Sequence, residues 1–154
     1  MKLGNNLLGF KLFKNTICII GFFLFLSACG ADTVNITMKS SDDCNDKNAI
    51  VVKVFQLKSD EKIKRSTRDA LLRNIETTLA NDLIPNTKIE KTMVPGNYIS
   101  LDDIEIKEEA AFIGFVADFH SPATDGWLLV FPLSSGEDDI KVLVERNYLA
   151  LEKE

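Results

Sequence analysis

One histidine, several pairs of adjacent acids and three cysteines are the residues of this 154-residue chain whose chemistry could define a site. His120 sits in a Phe-His-Ser-Pro turn. A triad would need a serine and a carboxylate arranged around it, and no nucleophile elbow or ordered set of partners accompanies it. Acid doublets occur at Asp42-Asp43, Asp102-Asp103, Glu108-Glu109 and Asp138-Asp139. Paired carboxylates can act on a glycosidic bond. Neighbours along a strand, however, point to opposite faces, and all four doublets fall in expected turns or strand ends. Asp43-Cys44-Asn45-Asp46-Lys47 fails the calcium-loop template, because lysine stands at the fifth position and the turn glycine is missing. No Cys/His cluster has zinc spacing, and no glycine-rich phosphate loop exists. The expectation is a non-enzyme with no metal, no cofactor and no small-molecule substrate.

Charge narrows the partners. Three of the 18 bases (Lys2, Lys11, Lys14) precede Cys29, whereas all 23 acids follow it. The part beyond Cys29 therefore carries about −8, which provides no electrostatic footprint for nucleic acid. Anionic lipid heads would also repel it weakly.

The basic start leads into an apolar run, Ile-Cys-Ile-Ile-Gly-Phe-Phe-Leu-Phe-Leu over residues 17–26, followed by Ser27 and Ala28. This is the order of a signal peptide, expected over residues 1–28. Ten helical residues reach about 15 Å at ~1.5 Å each, roughly half of a ~30 Å hydrocarbon core. Leu26-Ser27-Ala28-Cys29 resembles the lipobox of bacterial lipoproteins at every position. That resemblance implies cleavage before Cys29 and a covalent lipid on its thiol, and Gly30 in place of an aspartate points to the outer membrane. Cys18 would leave with the signal, so Cys44 has no intramolecular partner and is expected to be idle or part-buried.

The remainder reads mainly as β-structure. Val34, Ile36 and Met38 alternate with polar residues as a half-buried strand does. Residues 40–48 are polar except for Cys44 and read as a loop. Ile50-Val51-Val52-Lys53-Val54-Phe55-Gln56-Leu57 is apolar on both faces, as a central strand would be. The period then changes. Leu72, Ile75 and Leu79, with Leu71 flanking, predict one amphipathic helix over residues 67–80, capped by Ser66 and stopped by Asn81 and Pro85. It belongs to a helical insertion at about 59–83. Strands are expected over 87–94, over 98–106 with a break at Asp102-Asp103, over 110–119 and 127–133, around Ile140, Val142 and Val144, and over 148–151. Trp127 is expected to be buried. Residues 29–154 should thus form one domain, a two-sheet β-sandwich with a short helical insertion after the second strand.

Val51-Val52-Lys53-Val54-Phe55-Gln56-Leu57 is similar to the second strand of the type VI secretion outer-membrane lipoprotein family, TssJ (VasD-like). Met93-Val94-Pro95-Gly96, Phe112-Ile113-Gly114-Phe115-Val116-Ala117-Asp118-Phe119 and Trp127 resemble later pieces of that family in the right order. The resemblance implies a transthyretin-like sandwich held by a lipid at the periplasmic face of the outer membrane. It also implies a partner, the periplasmic domain of a TssM-like inner-membrane protein, and a tethering role in the secretion membrane complex. By position, the family's partner-binding loop maps onto Ser40, Ser41, Asp42, Asp43, Cys44, Asn45, Asp46 and Lys47. A generic periplasmic adaptor or pilotin of another envelope machine is the alternative.

Cys29→Ser should abolish membrane attachment and leave the downstream fold intact. Metabolic labelling with a palmitate analogue should mark the wild type and not the variant; equal labelling of both would end the lipoprotein reading.

Overall fold

The computed structural model describes residues 32–152, so the expected signal peptide and Cys29 lie outside the described residues. Among the described residues, eight strands form two four-stranded sheets. The strands are β1 (Thr33–Ser40), β2 (Ile50–Leu57), β3 (Ile89–Met93), β4 (Tyr98–Glu105), β5 (Phe112–Ala117), β6 (Leu128–Pro132), β7 (Asp139–Val144) and β8 (Leu149–Leu151). One sheet runs in the order β4-β1-β7-β8, the other β3-β2-β5-β6. β1 pairs antiparallel with β4 and parallel with β7. Because β1 and β2 belong to different sheets, residues 41–49 do not close a hairpin but cross one end of the sandwich.

Alternation along β1 sends Val34, Ile36 and Met38 into the space between the sheets. Ile50, Val52 and Val54 of β2 and Ile113, Phe115 and Ala117 of β5 meet them there. The opposite faces of β2 and β5 are apolar as well. Phe55, Leu57 and Val116 bury a second cluster against Ile63, Leu71, Ile75 and Leu79 of the helical insertion. Double-sided burial is why β2 and β5 read as nearly continuous apolar runs. Gln56 is buried but satisfied, its amide donating to the Glu105 carbonyl (2.7 Å) and accepting from the Lys107 N–H (2.9 Å).

The insertion departs from the expected single helix. It comprises α1 (Glu61–Arg65), α2 (Arg68–Arg73) and α3 (Ile75–Leu79), followed by a 3-10 turn, Ala80–Asp82. Asn74 breaks the helix with extended backbone (φ −156°, ψ 94°), and its side chain accepts from the Thr77 N–H (3.0 Å). Asparagine competes for backbone groups more readily than it continues a helix. Thr67, not Ser66, caps α2; Ser66 ends α1 and donates to the Lys62 carbonyl. The buried stripe is Leu71, Ile75 and Leu79, with Leu72 only half-buried. The expected break at Asp102-Asp103 is instead a β-bulge within continuous β4. Register shifts between Val34 and Ile36, and Asp103 takes a left-handed φ of 53°. Trp127 is half-buried, not buried, because it lies in the turn before β6 and spans the rims of both clusters.

Gly114 of β5 lies close against Phe55 of β2 and Ile63 of the insertion. A Cβ there would lie 2.6 Å from Cε2 of Phe55 and 3.3 Å from Cδ1 of Ile63, both fully enclosed. Overpacking of this kind costs about 1–3 kcal/mol, more than the ~0.4–1 kcal/mol an alanine gains by restricting the unfolded chain. Gly114→Ala should therefore lower the urea midpoint; an unchanged or raised midpoint would show that the insertion is loosely seated.

Candidate functional site

The link from β1 to β2, the β3–β4 turn, the β5–β6 loop and the β7–β8 turn all gather at one end of the sandwich. It is the end remote from Asp32, where the described chain enters. Hydrogen bonds join these segments to one another. Ser40 Oγ donates to the Val94 carbonyl (2.7 Å) and accepts from the Asn97 N–H (2.9 Å). The Gly96 N–H donates to the Ser41 carbonyl (3.2 Å), and the Ser41 N–H donates to the Val144 carbonyl (3.0 Å).

Asn45 makes the central connection. Its side-chain Oδ1 accepts from the His120 N–H (2.7 Å) and its Nδ2 donates to the Ala49 carbonyl (2.9 Å). Its own N–H donates to the Arg146 carbonyl (2.9 Å). Asn45, Asp46 and Lys47 all have left-handed backbone, with φ of 48°, 51° and 67°. Asparagine and aspartate visit that region at the least cost among residues with a side chain, which is the local reason the chain can turn back here.

The loop residues divide by direction. Ser40 belongs to β1 and is buried, as are Cys44 and Asn45. Cys44 is not merely part-buried: it joins Met38 and Ile50 in the core between the sheets and acts as a plug for that end. Ser41 is half-buried, and Asp42, Asp43, Asp46 and Lys47 face solvent. Of the eight residues mapped onto the loop, the outward-facing set is therefore these four together with part of Ser41. Asp43 accepts from Ser41 Oγ (2.9 Å), and Arg146 Nε donates to Asp46 Oδ1 (2.8 Å). Asp43, Asp46, Lys47 and Arg146 line a shallow open groove of about 370 Å³. His120 contributes its backbone N–H, and its side chain is exposed. Among the described residues no cluster of His, Cys, Asp and Glu could hold a metal ion. Pinning of this loop by the β3–β4 and β7–β8 turns was not visible in the sequence, because the turns lie about 50 and 100 residues away; only the left-handed preference of Asn45-Asp46 hinted at a built turn.

Burial pushes the Cys44 thiol up to about 11, with the nearby charges of Asp43 and Glu145 acting in the same direction.

The two sheets, the helical insertion that covers one of them and this loop-built end define a mainly-β sandwich. A family profile described as "Type VI secretion lipoprotein, VasD, EvfM, TssJ" matches residues 32–147, and the chain belongs to that family. The family consists of secretion-apparatus lipoproteins and is not an enzyme family. The fold is similar to that of the type VI lipoprotein TssJ1 from Pseudomonas aeruginosa, with a TM-score of 0.71 and 18% identity over 80% of this chain and 96% of that one. It is also similar to Serratia marcescens Lip, a membrane-bound component of the same kind of system, with a TM-score of 0.66 and 17% identity over 81% and 99% of the two chains. A chain in the structure of the "T6SS protein TssM C-terminal domain" from EAEC gives a TM-score of 0.67 and 20% identity over 79% and 98%. No curated protein matches the chain.

With the thiol at about 11, only about one part in a thousand is thiolate at pH 8. In the processed protein, whose Cys29 is acylated and whose Cys18 has left with the signal, Cys44 should resist a disulfide reagent in native buffer and react fully in denaturant. Rapid native labelling would show that the plug opens.

Proposed function

We propose that the chain is a lipid-anchored tether. Its lipid on Cys29 holds it at the periplasmic face of the outer membrane, and its β1–β2 loop binds the periplasmic domain of a TssM-like inner-membrane protein. The observation that carries this reading is the separation of the two ends. β1 is eight residues long, roughly 26 Å at ~3.3 Å per residue, and three residues separate Cys29 from Thr33. A lipid on Cys29 therefore tethers the chain where β1 begins, while Asp42, Asp43 and Asp46 project where it ends. Membership of the type VI lipoprotein family supports the apparatus. Occurrence of this fold in a structure of the TssM C-terminal domain supports the partner.

Exposed carboxylates on such a loop should steer encounter with a basic surface more than they fix total affinity. Replacing Asp42, Asp43 and Asp46 by serine should leave stability within about ±0.5 kcal/mol, since the pair of Asp46 with Arg146 is exposed and worth little. Association with the purified TssM periplasmic domain should slow about tenfold at low salt, and secretion should fail. Calorimetry and binding kinetics on wild type and triple variant measure this. Unchanged association would remove the loop from the interface. No binding by wild type would leave a generic adaptor or pilotin as the reading.

A further inference from the structure

Four large apolar residues are exposed among the described residues: Tyr98 (63%), Val94 (49%), Tyr148 (43%) and Leu151 (38%). Three of the four lie at the end that carries the acidic loop. Val94 and Tyr98 bracket the β3–β4 turn, and Tyr98 faces outward on β4 opposite Lys39. Tyr148 sits on the β7–β8 turn and packs its backbone side on Gly126, where a Cβ would come within 2.6 Å of the tyrosine Cβ.

Both turns touch the loop directly. Ser40 Oγ donates to the Val94 carbonyl, and a Cβ on Gly96 would lie 3.0 Å from Asp42 Oδ1. On the other side Arg146 donates to Asp46 and accepts from the Asn45 N–H. The acidic loop thus runs between two turns, each presenting an exposed tyrosine on a pinned backbone.

We propose that Tyr98 and Tyr148, with Val94, are the affinity-determining anchors of the interface, and that Asp42, Asp43 and Asp46 form its charged, rate-determining part. This rests on the reading of the loop as the contact with the TssM-like domain. Tyrosines dominate interface energetics because they bury large area with little loss of rotamer freedom, while rim charges mainly set approach. The occupant is therefore a protein surface with apolar pockets flanked by lysine or arginine. A membrane does not fit, since the proposed lipid on Cys29 precedes β1 at the other end and the loop between the two turns exposes Asp42, Asp43 and Asp46. A second copy of this chain would bring the two sets of aspartates face to face, at a like-charge cost.

The test is surface-immobilised binding kinetics of the full-length lipoprotein in detergent against the TssM-like periplasmic domain, at low and high salt. It compares wild type, Tyr98→Ser, the Tyr98→Ser/Tyr148→Ser double variant and the triple aspartate variant. The double variant should dissociate at least tenfold faster, with association and its salt dependence within twofold of wild type. The aspartate variant should do the reverse. Tyr98→Ser, at the most exposed position, keeps the test valid if Tyr148 proves necessary for folding, and should itself speed dissociation several-fold. Dissociation within twofold of wild type in both tyrosine variants would overturn the inference while leaving the loop reading intact. A change of oligomeric state in place of partner affinity would assign the surface to self-association and overturn it as well. Failure of wild type to bind would remove both readings together.

Discussion

Burial of both faces of β2 is the constraint on which the architecture depends. Ile50, Val52 and Val54 point into the space between the sheets, while Phe55 and Leu57 point away from it. A sheet with two apolar faces needs two covers. The second sheet provides one and the insertion provides the other. Three short helices suffice, because Leu71, Ile75 and Leu79 keep one buried line across the break at Asn74. Lys53, on the helical face of β2, reaches the Leu72 carbonyl (2.9 Å) and lies near Glu90, so the one charge on that face is also satisfied. The β4-β1-β7-β8 sheet needs no second cover, since its outer positions include the polar Asn35, Thr37, Lys39 and Ser100, with Tyr98 exposed beside them.

With both covers in place, the ends of the sandwich are the surface left to vary. At the remote end the chain must cross from one sheet to the other between β1 and β2. It does so by turning Cys44 and Asn45 inward, one into the core and one into bonds with the β5–β6 loop, the β7–β8 turn and the end of its own link. Arg68 extends that network to the insertion. Its guanidinium meets the Asp118 carboxylate (2.7 Å) and the Phe119 carbonyl, next to the His120 N–H that Asn45 receives. The exposed acids are therefore mounted on a backbone fixed from both layers.

Much of this was legible from periodicity. Strand positions, the two-sided character of residues 50–57 and the insertion after them all follow from where apolar residues fall. Three features were not legible. The helix break at Asn74 is invisible because Leu71, Ile75 and Leu79 also fit one unbroken helix. Asp102-Asp103 looked like an interruption, yet a bulge lets the strand continue while both acids stay in solvent. The loop over residues 40–48 looked solvated by composition. Composition cannot show that Cys44 and Asn45 turn inward, since their partners lie in β1, in the His120 region and around Arg146. The expectation for Cys29 rests only on a motif that belongs to the export machinery and not to the fold.

Fixing the loop has an energetic consequence for a tether. Three consecutive residues in left-handed backbone cost roughly 1–2 kcal/mol each for non-glycine types, least for Asn and Asp, and the bonds of Asn45 and the burial of Cys44 hold them there. The ordering is thus completed during folding. A partner that docks on the loop need not freeze it, and an interface avoids roughly 0.5–1.5 kcal/mol for each side chain that is already ordered. A chain that must hold one end of an envelope-spanning complex gains from slow dissociation, and a preformed surface provides it without a larger contact area. On this argument the strain at Asn45, Asp46 and Lys47 is the structural cost of presenting the acids in one fixed arrangement.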